Sequence, residues 1–251
     1  AVLADTIHGQ RIQLIDNYLN GLRRKAEQMK QKRGPVPKLR FLSTGKTKPP
    51  IVIDGKLDDF AWENIPNASK GSLRELQTGR LPTYGTQFMA EWIGNDLYFA
   101  IRCEEAPGDA LKITTEKDGD QAIWYGDCIE VEIGTDAHSY YQITVNPSGA
   151  LVDLDRGASR SQWFNWSSKA SISTVIADDH WIVEMKLPTT KDANDPLHQI
   201  VGSKPTQSLP WFFNVCRQRV RQNGKEMSAF SPTGTGGFHD PMKFAHLYRG
   251  K

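Results

Sequence analysis

The feature that most constrains the fold of this chain is a series of short segments in which apolar and polar residues alternate. The clearest segment, residues 128–133, alternates strictly between apolar and acidic side chains. Separated by turns, similar segments occupy residues 87–93, 97–103, 140–145, 150–154, 170–176, 181–187, 211–219 and 244–248. A period of two is the pattern of a strand that buries one face. We therefore predict an all-β fold, an antiparallel β-sandwich of the immunoglobulin-like or jelly-roll type.

An N-terminal amphipathic helix precedes this sandwich. Its apolar side chains recur at alternating spacings of three and four, and the helix ends at Gly34-Pro35. We expect residues 1–33 to form a helical arm, residues 34–50 a basic, Pro-containing linker, and residues 51–251 the sandwich. The helix either packs on the sandwich or mediates self-association or contact with an upstream domain, through Ile12, Ile15, Leu19, Leu22 and Met29.

Composition excludes several classes of function. No apolar run approaches the ~18 residues that a membrane-spanning helix needs. Lys and Arg outnumber Asp and Glu by 11 to 3 in residues 1–50, but the remainder of the chain is acidic and has no interleaved basic and aromatic stripe. We therefore expect no nucleic-acid binding. The three cysteines match neither a disulfide framework nor a metal-ligand spacing, and are either buried thiols or one pair with one buried thiol.

The body begins with residues 51–62, entered through Pro49-Pro50. A β-branched triplet predicts a strand, and Asp54-Gly55 predicts a tight turn. Asp58 is a candidate N-cap for a helical turn that carries Trp62. These 12 residues are expected to form the first edge of the sandwich, with Trp62 in the core.

Three segments combine aromatic rings with polar groups. The first, residues 104–127, is acidic and contains Trp124; the second holds Trp163 and Trp166; the third, residues 211–240, contains Phe238 in a Gly-rich loop. Rings stack on the apolar face of a sugar, while carboxylates, amides and guanidinium groups bind its hydroxyls. Each segment also has a purely structural interpretation, in which its rings close the ends of the core.

Signals for catalysis or redox chemistry are weaker. Nucleophile-elbow, zinc-protease, phosphate-loop and EF-hand motifs are absent from the sequence. Glu130 and Glu132 lie two apart on one predicted strand, a spacing that any alternating acidic strand produces. A haem-binding redox module would need an axial Met or His, and none of the 5 Met and 6 His has a distinctive spacing.

Five sequence pieces, in this order, resemble carbohydrate-binding module family 9 and its wider set of family-9-like domains. They are IDGKLDDFAW, WIGNDLYFAI, WYGDCIEVEI, YYQITVNPSG, and FFNVCRQR with FSPTGTGGFHDPMKFAHL. The resemblance covers residues 50–248. It implies a β-sandwich that binds a sugar ring between two aromatic side chains and holds structural calcium elsewhere, typically as a noncatalytic module of exported glycoside hydrolases.

The resemblance also assigns residues to this site. The two rings match Trp124 and Phe238, and the acidic hydrogen-bonding residue matches Glu130. A family arginine falls at Thr144, and a family asparagine falls near Thr235. Further sugar-binding candidates are Asn146, Trp163, Trp166, Arg217 and Arg219.

We therefore expect a noncatalytic, extracellular or periplasmic module that binds a poly- or oligosaccharide, with possible structural calcium as its metal. Any glycoside hydrolase activity would reside in an associated domain. The alternatives are a structural or interaction sandwich that has lost its sugar site, a haem-binding module, and a hydrolase acting through Glu130.

Overall fold

The structure, a computed structural model, describes residues 2–30, 34–42, 49–190 and 199–250. Within these residues it contains the helices α1 (Val2–Lys30) and α2 (Phe60–Glu63). The strands, in chain order, are β1 Lys38–Leu42, β2 Lys70–Ser72, β3 Arg74–Glu75, β4 Thr86–Ile93, β5 Asp96–Glu104, β6 Cys128–Gly134, β7 Tyr141–Val145, β8 Leu151–Asp155, β9 Ser171–Ile176, β10 His180–Thr190, β11 Ile200–Val201, β12 Trp211–Arg221, β13 Gly224–Ala229 and β14 Ala245–Gly250.

The strands form two sheets, which confirms the predicted sandwich. The first sheet has the order β1-β14-β12-β6-β7-β8, and β13 pairs with both β12 and β3. The second sheet has the order β11-β10-β5-β4-β2, with β9 also paired to β10. Pairing is mostly antiparallel, but β1–β14 and β10–β11 are parallel, so the sheets are mixed. Within residues 34–50, for which a linker is predicted, β1 is a strand that pairs with β14 at the edge of the first sheet.

The core lies between the facing sides of the two sheets. Alternation determines which residues enter it: Ile129, Val131 and Ile133 of β6 are fully buried in the main apolar cluster. Trp92 and Trp211, one from each sheet, meet edge to face with their ring centroids 5.1 Å apart. All three cysteines are buried and free, which confirms the interpretation as buried thiols.

The segment 51–62 packs on the outer face of the second sheet, where Ile51 and Trp62 form a smaller apolar cluster with Tyr98. The predicted strand is wrong, since residues 51–53 are extended but pair with no strand in the described residues. The predicted cap is also wrong. The residue before α2 is Asp59, whose side chain accepts a hydrogen bond from the Val52 amide rather than capping the helix.

Glu184 of β10 holds this segment in place. Its Oε2 accepts hydrogen bonds from the backbone amides of Asp54 and Gly55, both at 3.0 Å, and its Oε1 accepts one from Trp62 Nε1 at 2.7 Å. One buried carboxylate therefore satisfies three donors of a segment that no strand pairing supports.

Replacing Glu184 with alanine should lower the free energy of unfolding by about 3 kcal/mol, because buried donors lose their acceptor. Glu184→Gln keeps one acceptor oxygen and should cost about half as much. Urea denaturation of the two variants measures both values. A loss below about 0.5 kcal/mol in Glu184→Ala would show that the carboxylate does not hold the segment.

Helix α1 contacts the sandwich through a face with few apolar residues. Gly21 lies against the ring of His138, Arg24 Nη1 donates to the Arg156 carbonyl at 3.0 Å, and Gln28 Nε2 donates to Ser139 Oγ at 3.2 Å. The Lys25 ammonium lies 4.3 Å from the centroid of the Phe212 ring. None of the described helices is long and apolar enough to cross a membrane.

The predicted apolar seam of α1 faces solvent instead. Ile12 and Ile15 are 51% and 59% exposed, and Leu19 is also exposed, while Leu22 is half-buried. The side chain of Met29 lies outside the described residues. The interpretation in which the helix packs on the sandwich is therefore confirmed, but the contact is not made by the apolar seam. Association through the seam stays a prediction.

Gly21→Ala should release α1 from the sandwich, because the new Cβ would lie 2.2 Å from Nδ1 of the buried His138 ring. His138 cannot easily retreat, since its ring stacks on Tyr141 with centroids 4.4 Å apart. Amide hydrogen exchange of α1 should accelerate in this variant. Gly9→Ala is the matched control, because nothing lies within 4 Å of that position. Equal protection in both variants would contradict the docking of α1 at Gly21.

Candidate functional site

The outer face of the first sheet is polar where β6, β7 and β12 run side by side. Because the odd-numbered residues of β6 enter the core, Glu130 and Glu132 point to the opposite face. In register beside them lie Thr144 and Gln142 of β7 and Asn214 of β12. All five are at most 4% exposed, since connecting segments cover this part of the sheet. A buried polar surface of this kind is unusual and needs an explanation.

A cavity of about 310 Å³ opens above this face. Its volume is at the lower end of the ~300–1,000 Å³ typical of small-ligand sites. The cavity combines three aromatic rings with acidic, amide and basic side chains, and is lined by Gln121, Trp124, Glu130, Gln142, Leu154, Arg156, Arg160, Trp163, Phe164 and His239.

One wall of the cavity is the 3₁₀ turn Gln121–Tyr125, which carries Trp124. The side chain of Asp120 caps this turn by accepting a hydrogen bond from the Ala122 amide at 2.9 Å. Gln218 of β12 donates to the carbonyls of Trp124, at 2.9 Å, and Gly126, at 2.7 Å. The turn is therefore fixed to the sheet at its C-terminal end.

The opposite wall is the 3₁₀ turn Arg160–Asn165. The Arg156 guanidinium carbon lies 3.8 Å from the centroid of the Trp163 ring, and its Nε donates to the Tyr140 hydroxyl at 3.2 Å. Phe164 reaches across the cavity to Trp124, with ring centroids 6.5 Å apart and planes inclined by 61°. The two walls thus present rings at an angle to each other rather than in parallel.

The floor holds ionisable groups in an unfavourable environment. Burial raises the pKa of Glu130 to about 7, and Glu132 adds to this rise, whereas His239, Arg156 and a side-chain hydrogen bond from Trp124 oppose it. Burial also raises the pKa of Glu132 well above its ordinary value. The pKa of His239 is lowered, again mainly by burial. Gln142 Nε2 donates to Glu130 Oε2 at 3.0 Å.

The structure brings three of the predicted residues together at the cavity: Trp124, Glu130 and Trp163. It does not bring Phe238 or Trp166 there. Phe238 is 4% exposed and packs beneath the Gly-rich loop in a cluster with Leu76 and Cys216, so the prediction of a second ring there is corrected.

The remaining predicted residues serve the framework instead. Trp166 stacks on Tyr141 in the core, and Asn146 closes its own turn by accepting from the amides of Ser148 and Ala150. Thr235 is exposed and bonds within its loop, to the Gly237 carbonyl. Asn146, Trp166 and Thr235 are therefore not among the cavity residues.

Arg217 and Arg219 also point away from the cavity and into an ionic network. Arg217 is 2% exposed and pairs with Glu105 at 2.5 Å, while Arg219 pairs with Glu105 at 2.7 Å and with Asp109 at 2.5 Å. Arg217 also donates to Thr86 Oγ1 at 3.0 Å, which ties β12 to the start of β4 in the second sheet. Neither guanidinium can supply the donor that the family arginine would have provided.

Sequence reasoning missed Gln121, Gln142, Leu154, Arg156, Arg160, Phe164 and His239 as cavity residues. Gln142 carried a usable signal, because it precedes Thr144 by two on β7 and so shares its face. Arg156 follows β8 directly and lines the cavity. His239 lines the cavity and its neighbour Phe238 does not. The sequence pattern could not distinguish them, because the direction of a loop side chain depends on the backbone angles.

Arg217→Ala should lower the free energy of unfolding by about 3 kcal/mol, because it breaks a buried ion pair and leaves acceptors without a donor. Arg160→Ala is the matched control, since Arg160 is exposed at the cavity and its loss should change stability by less than about 0.5 kcal/mol. Urea denaturation distinguishes the two. A small loss in Arg217→Ala would show that this arginine is not structural.

Comparison with known proteins bears on the fold. No known protein family and no curated protein matches the chain by sequence. Several solved structures match its fold, among them the following three. A protein from Bacteroides uniformis, proposed to bind carbohydrate, has 16% sequence identity and a TM-score of 0.60, and the match covers 87% of this chain and 100% of that one.

The other two structures are of a family 9 carbohydrate-binding module from Caldicellulosiruptor kristjanssonii. The complex with glucose has 14% identity and a TM-score of 0.55, covering 84% of this chain and 95% of that one. The complex with cellotriose has 14% identity and a TM-score of 0.56, covering 84% and 93%. The chain therefore has the β-sandwich fold of family 9 carbohydrate-binding modules, and the resemblance seen in the sequence is confirmed for the fold.

Proposed function

We propose that this chain is a noncatalytic carbohydrate-binding module whose site is the cavity between Trp124 and Trp163. The observation that carries the proposal is the composition of the cavity, in which three rings surround a floor of buried polar groups. Rings cover the apolar face of a pyranose, and carboxylate, amide and guanidinium groups bind its hydroxyls in pairs. The sugars bound by the structures with the same fold support this assignment.

Each part of the cavity has a role in this proposal. Trp124 and Phe164, inclined to each other, contact two faces of the sugar. Glu130 and Gln142 bind adjacent hydroxyls from the floor, and Arg156 donates from the side where it stacks on Trp163. Arg156 thereby supplies the guanidinium that donates to a sugar hydroxyl, in place of the family arginine that falls at Thr144 in this sequence. A second cavity, of about 360 Å³, has no Phe, Tyr or Trp among its lining residues and is a poor sugar site.

The arrangement of carboxylates supports binding rather than hydrolysis. Glycoside hydrolysis generally needs two carboxyl groups, one on each side of the scissile bond. Glu130 is the only carboxylate among the residues that line the cavity, and Glu132 is completely covered. The sequence resemblance further supports a role in an exported glycoside hydrolase system, outside the cell or in the periplasm.

Structural calcium, which the resemblance implies, stays a proposal. Calcium prefers six to eight oxygen ligands. Among the described residues, the group of three or more acidic, His or Cys side chains close enough to share an ion includes an imidazole nitrogen, which does not fit that preference. We therefore propose that structural calcium binds elsewhere, at a site built from backbone carbonyl oxygens.

Isothermal titration calorimetry with glucose, cellotriose and a panel of other mono- and oligosaccharides tests the function. We expect binding in the range of about 1 µM to 1 mM. Trp124→Ala should weaken it by about tenfold or more, because a stacked ring contributes about 1 kcal/mol beyond its buried area. The melting temperature should stay close to that of the wild type.

Tyr125→Ala is the matched control, since Tyr125 is the next residue, is 70% exposed and does not line the cavity. Its affinity should equal that of the wild type. No heat with any sugar would refute the proposal and leave a structural or interaction module. Equal losses in both variants would place the site elsewhere.

A further inference from the structure

Glu132 differs from other buried carboxylates of this chain. It is fully buried, yet neither of its oxygens accepts a hydrogen bond. Glu184, equally buried, accepts three hydrogen bonds, and Asp127 accepts two backbone amides and an arginine. Burying a carboxylate whose oxygens accept no hydrogen bond is strongly unfavourable, so a side chain retained in this state points to a ligand that compensates it.

Two further ligand atoms lie beside Glu132. Glu130, Glu132 and His239 each offer one nitrogen or oxygen, and these three atoms all lie within 4.8 Å of one another. Nδ1 of His239 is 2.7 Å from Oε1 of Glu132, close enough for an ion pair, although the two atoms are not aligned for a hydrogen bond. Such a short distance without a hydrogen bond is expected when both atoms are ligands of the same cation.

The charges around this group favour a cation. Two carboxylates face it, and the positive group close to both is the Arg156 guanidinium. A divalent ion between these side chains would balance the charge of the carboxylates and supply bonds to the oxygens of Glu132.

We propose that Glu130, Glu132 and His239 form a binding site for a divalent first-row transition-metal ion. One imidazole nitrogen with two carboxylates is a donor set that suits zinc and its neighbours better than calcium or magnesium, which take oxygen ligands. Three protein ligands leave at least one coordination position for water or a ligand atom. Because Glu130 and His239 line the cavity and Glu132 lies behind them, this position faces the cavity. The site goes beyond the proposed sugar binding and does not require it.

Calorimetric titration of the EDTA-treated full chain with ZnCl₂, in the absence of sugar, tests the proposal. We expect one equivalent of zinc to bind. Glu132→Gln keeps the size of the side chain and removes its charge, and should weaken binding at least about tenfold. His239→Gln, at a position whose side chain is 36% exposed, should have an effect at least as large and leaves the fold intact. Cobalt absorption in the visible range should show nitrogen and oxygen ligation in the wild type and lose intensity in both variants.

His180→Gln is the matched control, because His180 also pairs with a carboxylate, that of Asp179, but at the surface and without a second acidic ligand. Its zinc affinity should equal that of the wild type. The proposal is overturned if the wild type binds no zinc, if the Glu132 and His239 variants bind as the wild type does, or if binding is lost in His180→Gln. Sugar titrations of the EDTA-treated wild type test the proposed function separately, because the proposed sugar binding does not require zinc. Failure of the zinc proposal is therefore distinguishable from failure of the proposed function.

Discussion

The alternation of β6 is the constraint on which the candidate site depends. Ile129, Val131 and Ile133 must face the second sheet to complete the core, so Glu130 and Glu132 are forced onto the opposite face. A shift of one residue in register would place both carboxylates between the sheets, which is prohibitively unfavourable. The same apolar residues that stabilise the sandwich thereby fix the polar floor of the cavity, and the position of the floor is set by packing rather than by hydrogen bonds of its own.

The walls of the cavity depend on a second, ionic framework at one end of the sandwich. Asp127, at the start of β6, accepts hydrogen bonds from the amides of Lys112 and Val220 and pairs with Arg221. Together with Gln218, it holds the ends of the segment that carries Trp124. An arginine on β12 therefore helps to hold the segment of Trp124 in place from a distance, without lining the cavity itself. Because these ion pairs are largely buried, their geometry matters more than their number.

Periodicity made the sandwich, most of its strands and the floor residue Glu130 predictable, since a period of two is a local property of the chain. The place of Trp124 and Trp163 at the cavity was also predictable, because large rings in polar segments are unusual, while their role in binding stays a prediction. The wrong assignments share a cause. Arg217 and Phe238 have the residue types of a sugar site, but their directions are set by Glu105 and by the packing around Leu76, which lie more than 100 residues away along the chain. The face of α1 that contacts the sandwich was unpredictable for the same reason. Its contacts with residues near 138 and 156 decide which face packs, and its apolar seam does not.

The parallel pairing of β1 with β14 joins residues 38–42 to residues 246–250. Contacts that span so much of the chain close large loops and make folding slow. During synthesis, β1 must wait for β14 before its edge of the sheet is complete, and β6 must wait for β12 before the floor of the cavity has both neighbours. The cavity itself draws on residues 121 to 239, so it cannot form on a partly made chain. The proposed binding therefore requires all of the strands between residues 121 and 239 to be in place, so a bound ligand would report that this part of the chain has folded.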